Sequence, residues 1–139
     1  MSYKNEFKNC LDGLFESLCD VSDWMYENPE LGFQEFKTSK YLVDYIQKNS
    51  KSVNYPSHGL ETAFDITFGE EGPLTVICVE YDALPEIGHA CGHNIIATAS
   101  IGAGLGLKDI ASKFGIRVKL LGTPAEEGGG GKSMLSNEG

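Results

Sequence analysis

Basic side chains are scarce in this sequence: 11 Lys and Arg stand against 20 Asp and Glu among 139 residues, for a formal net charge of −9. That balance excludes nucleic acid as a partner, because phosphate binding needs clustered cations and no basic patch stands out. Long hydrophobic runs are missing as well. No stretch approaches the roughly 20 apolar residues of a membrane span, and residues 1–9 are polar, without the apolar centre of a secretory leader. A cytoplasmic protein with no membrane partner is expected. Cysteine is thin: 4 residues without a leader are better read as reduced thiols than as a disulfide framework. Cys10 and Cys19 fall on the apolar stripe of a helix and Cys78 lies inside an apolar strand, where packing is the expected role. Cys91 differs, being flanked by glycine and histidines. What is present, 41% hydrophobic and 22% charged residues, fits one globular domain with its own core and excludes disordered and fibrous classes.

Apolar residues recur at helical spacing from Glu6 to about Tyr26, and Asn28-Pro29 ends the run. A second, shorter helix is expected over Glu35 to Gln47. Two β runs follow, Thr62 to Phe68 and Leu74 to Val79, joined by Gly69 to Pro73, a connection of hairpin length. The second run is almost wholly apolar, which suits a strand covered on both faces at the centre of an α/β sheet. Ile95 to Ala111 reads as a helix whose small residues allow close approach to a neighbour. Ile116 to Leu121 reads as a third strand, ending at Gly122-Thr123-Pro124, and Gly128 to Gly139 as glycine-rich and then helical. The polar clusters sit at strand ends: Asp82 after one, the Cys91 to Asn94 turn opening a helix, Glu126-Glu127 after another. Sites in open α/β sheets form beyond the carboxyl ends of strands, so these clusters are expected to converge.

A thiolate and an imidazole one residue apart, Cys91 and His93, make a good ligand pair for zinc or a similar ion, and Gly92 permits the turn that aims them at one point. Alone, the pair is weak. His89 is readable as a third ligand or as a satisfied structural histidine. Adjacent acids such as Glu126 and Glu127 can divide two tasks, metal coordination and proton transfer; a bare pair reads better as solvated surface, and what lifts this one is its place between Thr123-Pro124-Ala125 and four glycines. The run Gly128 to Ser133 tempts toward a phosphate loop, but that motif needs glycine where Glu126 stands.

Taken in order, Asn28-Pro29-Glu30-Leu31-Gly32-Phe33 with Glu35, Tyr81-Asp82-Ala83-Leu84-Pro85, Gly88-His89-Ala90-Cys91-Gly92-His93-Asn94 and Thr123-Pro124-Ala125-Glu126-Glu127-Gly128-Gly129 form a series. It resembles the dinuclear zinc metallopeptidases of the aminoacylase and carboxypeptidase G superfamily. Within it the series is similar to the amidohydrolase branch of hippurate, indole-acetyl-amino-acid and aminobenzoyl-glutamate hydrolases, and Pro85 to His89 looks most like its dipeptidases for substrates ending in a basic residue. The resemblance implies an α/β fold, the N-terminal part of a three-layer α/β/α catalytic domain. It implies Cys91, His93 and Glu127 as metal ligands, Glu126 as general acid/base, and Asp82 as the catalytic aspartate that supports the metal site from behind. Two divalent ions, zinc or manganese, are implied as cofactors, and a small N-acyl amino acid or dipeptide as substrate.

Two departures qualify it. Asn94 stands where many branch members carry aspartate, so a ligand role at 94 is not expected. Members of the superfamily also run to several hundred residues, with a lid domain and further histidine ligands that residues 1–139 do not include. The reading is therefore of an N-terminal portion with weak metal affinity and negligible turnover alone, and an exposed sheet edge that favours homo-oligomers. The rival reading is a non-catalytic remnant acting only as a folded or interaction module.

Overall fold

The computed structural model describes residues 2–137; Met1, Glu138 and Gly139 lie outside the described residues, as do the ends of the expected 1–139 unit and the last positions of the expected C-terminal helix. Helix α1 spans Tyr3–Glu27 and begins earlier than its apolar periodicity, because the Ser2 hydroxyl accepts from the Asn5 N–H at 3.3 Å and caps the first turn. It ends where the Asn28 N–H turns back to the carbonyls of Trp24 and Met25, just before Pro29. Helix α2, Phe36–Asn49, is capped from a distance: the Glu30 carboxylate accepts from the N–H groups of Lys37 at 3.2 Å and Thr38 at 2.7 Å.

Three strands follow: β1 (Phe64–Phe68), β2 (Leu74–Glu80) and, after helix α3 (His93–Leu107) and a 3-10 turn at Ser112–Phe114, β3 (Arg117–Thr123). Helix α4 covers Gly131–Asn137. The sheet order is β1-β3-β2, so the expected hairpin between β1 and β2 does not form. β3 sits between them, antiparallel to β1 with Phe64 opposite Gly122, and parallel to β2 with Leu74 opposite Arg117. The physical reason is the crossover: β2, α3 and β3 make a parallel unit that needs a helix-length connection, and its return strand takes the place beside β1. The Gly69 to Pro73 segment instead passes the start of β3, where Gly69 and Gly72, at φ 83 and 90, lie against the carbonyls of Ile116 and Gly115.

Alternation along the strands divides the sheet into two faces. Phe64, Ile66 and Phe68 of β1, Val118 and Leu120 of β3, and Ile77 and Val79 of β2 face the helices, where they pack with Leu42, Ile46, Ile101 and Leu105. On the opposite face Leu74 and Val76 remain 42% and 45% exposed and Cys78 is exposed. β2 is thus covered on one face, not two, and is an edge strand of the described sheet; the strand with a neighbour on each side is β3. Cys19 is likewise exposed rather than packed, because the side of α1 that meets α3 passes through Leu11, Leu14 and Leu18, whereas Cys10 is half-buried with its thiol 3.6 Å from the Leu105 carbonyl. Among the described residues no helix is long and apolar enough to cross a membrane.

Candidate metal centre

Three segments converge where β2 and β3 run out. β2 delivers Glu80 and the turn after it Asp82, the start of α3 delivers Cys91 and His93, and the loop after β3 delivers Glu126 and Glu127. Gly92, at φ 80, supplies the left-handed turn from which His93 opens α3. His93 is buried, and its Nδ1 lies 2.8 Å from the backbone carbonyl oxygen of Asp82. That carbonyl can only accept, so Nδ1 carries a proton, and in the neutral ring Nε2 presents its lone pair. Nε2 looks into carboxylates: Glu80 Oε2 at 3.3 Å, Glu127 Oε1 at 3.5 Å and Glu126 Oε2 at 3.7 Å.

A lone pair among carboxylates is mutually repulsive, and a divalent cation reverses the sign of each interaction. Ligand atoms of Glu80, His93 and Glu126 all lie within 4.8 Å of one another, roughly twice a metal–ligand bond of ~2.0–2.3 Å. The exposed Cys91 thiol donates to Glu127, and that bond, with a small burial cost and the fields of Glu127, Glu126 and Asp82, holds its pKa above the ordinary thiol value. The donor set therefore fits a metal: one imidazole nitrogen with its other nitrogen fixed, one thiol and several acids. Asp82 Oδ1, buried, lies 3.1 Å from the His93 Nδ1 and so stands behind the imidazole.

The geometric group shares only His93 with the ligand set Cys91, His93 and Glu127 read from the resemblance. The difference lies with Lys132 of α4, which pairs with Glu80 and stands 3.6 Å from Glu126 Oε1. Burial works against its charge, but the hydrogen bond to Glu80 and the fields of Glu80 and Glu126 outweigh that, and its pKa stands above the ordinary value. Glu80 and Glu126 thus already have a cation, whereas Glu127 lies against the Cys91 thiol and His93 Nε2.

Two buried carboxylates bracket Glu126 through the backbone. Asp82 Oδ2 accepts from the Glu127 N–H at 3.0 Å, and Glu35 Oε1 accepts from the Ala125 N–H at 2.8 Å. The other Glu35 oxygen accepts from the Thr62 hydroxyl at 3.1 Å. Ala125 adopts φ 53, a left-handed turn that these anchors hold in place. Glu126 is left with a side chain 34% exposed, able to face solvent and cluster at once.

Sequence reasoning missed Glu80, Lys132 and the role of Glu35. Glu80 carried a signal, its place at the end of an apolar strand two residues before Asp82; Lys132 carried none beyond a failed phosphate-loop match. His89 meets neither expectation cleanly: it is buried, and neither ring nitrogen has a hydrogen-bond partner among the described residues. Burial and the neighbouring His93 hold its pKa below the ordinary value, against a smaller opposing pull from Asp82. Asn94 turns away from the cluster and donates to the Ser22 hydroxyl at 3.0 Å, tying α3 to α1.

No family-wide sequence profile matches the chain. It is 36% identical to the Xaa-Arg dipeptidase of Mus musculus, over 93% of this chain and 33% of that protein. It is 30% identical to a p-aminobenzoyl-glutamate hydrolase chain of Escherichia coli K12, over 86% of this chain and 29% of that protein. Among solved structures, a dinuclear metal-binding peptidase of the M20 family from Bacillus subtilis superposes with a TM-score of 0.81 at 24% identity, covering 91% of this chain and 40% of that one. The chain thus spans about a third of the length of the curated relatives it matches. The superposition shows the fold: an α/β architecture shared with the corresponding part of the peptidase.

Proposed function

Because the chain belongs to the amidohydrolase branch of the aminoacylase and carboxypeptidase G metallopeptidase superfamily, we propose that its protein hydrolyses the amide bond of N-acyl amino acids or small dipeptides. The observation that carries this reading is the convergence of His93 Nε2 with Glu80, Glu126 and Glu127 from three separate segments. Cys91, His93 and Glu127 would hold divalent metal, since Lys132 already pairs with Glu80 and stands beside Glu126. Two such ions, zinc or manganese, would supply the Lewis acidity that polarises a scissile carbonyl and lowers the pKa of water.

This chain's residues account for the rest. Glu126 is the general acid/base: partly exposed and beside the cluster, it can take a proton from water and return it to the leaving amine. Asp82 does two positioning tasks, orienting the His93 ring through its carbonyl and the Glu127 backbone through its carboxylate. Lys132 holds Glu80 and stands 3.6 Å from Glu126 Oε1.

The test is metal content and hydrolysis of an N-acyl amino acid, measured on the protein at its natural length. Glu126→Gln is expected to keep its metal and lose about 10²–10⁴-fold in kcat. Cys91→Ala is expected to lose metal stoichiometry. Turnover of Glu126→Gln at the parent rate would remove the acid/base assignment, and full metal content in Cys91→Ala would remove the ligand assignment.

A further inference from the structure

The ammonium beside the cluster is set in place by the same loop that carries Glu126. Gly131 opens α4 so close to Pro124 that an added Cβ would lie 1.8 Å from the Pro124 carbonyl oxygen, and its N–H donates to the Ala125 carbonyl at 3.3 Å. Lys132 follows it, in the first turn of α4. Cations are disfavoured there, where unpaired N–H groups point outward. A residue that breaks a local preference has a compensating partner or a task. Lys132 has two partners: its Nζ pairs with Glu80 Oε1 and lies 3.6 Å from Glu126 Oε1.

Each of these acids is divided between two sides. Oε1 of Glu80 and of Glu126 meets Lys132, while Oε2 of each faces His93 Nε2, at 3.3 Å and 3.7 Å. His93 is buried and aims that nitrogen between them. The three ligand atoms are close enough for one ion. A divalent ion held there would share both carboxylates with the ammonium and be repelled by it across them. On the other side stand Glu127 and the Cys91 thiol, hydrogen-bonded to each other. The two sides differ in kind. A thiolate with an imidazole suits zinc or its softer analogue cadmium, whereas two carboxylates with an imidazole suit manganese.

We propose that Lys132 sets the metal preference of this centre: its ammonium, seated on Glu80 and Glu126, excludes both as ligands and leaves the thiolate side for the ion. The inference rests on the metal-centre reading and names the residue that governs which ion loads. Without the ammonium, Glu80 and Glu126 join His93 as an oxygen-rich site, and an oxygen-preferring ion gains most.

The experiment titrates the metal-free protein at its natural length with manganese and with cadmium by calorimetry, and follows the thiolate-to-cadmium absorption band. In Lys132→Met the manganese affinity is expected to rise about tenfold and the cadmium affinity by less than about threefold. Lys132→Arg, which keeps the charge, is expected to match the parent, and the cadmium band to appear in every form. The Lys132 side chain is 41% exposed, so neutral replacements leave the core intact; Lys132→Gln repeats the measurement with a polar one. Unchanged manganese affinity in both neutral variants overturns the proposal. So does an equal gain for the two ions, the mark of a general loss of repulsion rather than of two ligands set free. Cadmium bound without the band refutes Cys91 as a ligand and the proposed preference with it. No ion bound by any form refutes the metal-centre reading and the proposal together, whereas both ions bound alike by every form keeps that reading and refutes the proposal alone.

Discussion

At Glu35 a carboxylate with no exposed surface accepts from the Ala125 N–H and the Thr62 hydroxyl, and through Ala125 it sets the turn that presents Glu126. Burial raises its pKa, and hydrogen bonds from its own backbone, Ala125, Thr62 and Phe33 only partly oppose that. With the folded pKa above the unfolded one, its contribution to stability is complete below the ordinary glutamate value and is lost as pH rises through the raised folded value. Glu35→Gln, which keeps an acceptor for Ala125 and offers an N–H to Thr62, is therefore expected to gain on the parent between about pH 4 and pH 7. Glu35→Ala is expected to cost about 2–4 kcal/mol near pH 4, from an unpaired buried N–H plus a cavity, and less near pH 7, where the parent has lost the contribution of the protonated carboxyl. Denaturant melts at the two pH values check both, and a constant Gln-to-parent gap would place the titration elsewhere. The sequence made Asp82, Cys91, His93 and the glutamate pair legible because each sits in a short local signature. The part played by Glu35 was not legible, because it depends on residue 125 arriving 90 positions later.

Helix α3 shows how an element's composition becomes packing. Its glycines read as sites of close approach, and at Gly104 that holds: an added Cβ would meet Leu120 of β3 at 2.5–2.7 Å, including the branch carbon. Gly13 in α1 is exposed with nothing within 4 Å. The same substitution is thus expected to have opposite signs: Gly13→Ala stabilises by about 0.5–1 kcal/mol. Gly104→Ala destabilises by about 1–2 kcal/mol, because overpacking against β3 exceeds the propensity gain. Thermal melts of the two variants decide it, and two shifts of one sign would refute the packing account. Helix positions were legible from periodicity, which survives without knowledge of partners. Strand pairing was not, since a five-residue connection fits both a hairpin and a passage beneath an inserted strand, and the unbroken apolar run of β2 does not say which of its faces is covered.

For the molecule as a whole, α1, α2 and α3 attend to one face of the sheet and leave Leu74, Val76 and Cys78 on the other, along an edge strand. Exposed apolar edges recruit further strands or copies of themselves. The 139-residue chain is expected to self-associate at high concentration, and Val76→Lys to shift sedimentation toward the monomer without changing the far-ultraviolet spectrum. Unchanged association in that variant would place the contact elsewhere. The fold class was legible at this scale because the order of helices and strands survives errors in pairing. The central place of β3 also governs how the chain reaches its structure. Both of its partners precede it by more than forty residues, so neither β1 nor β2 can complete a ladder during synthesis until residues 117–123 have emerged. Completion of the sheet is thus a late event limited by closure of long loops, with β1 paired before then only at the Asn54–Asp65 bridge among the described residues.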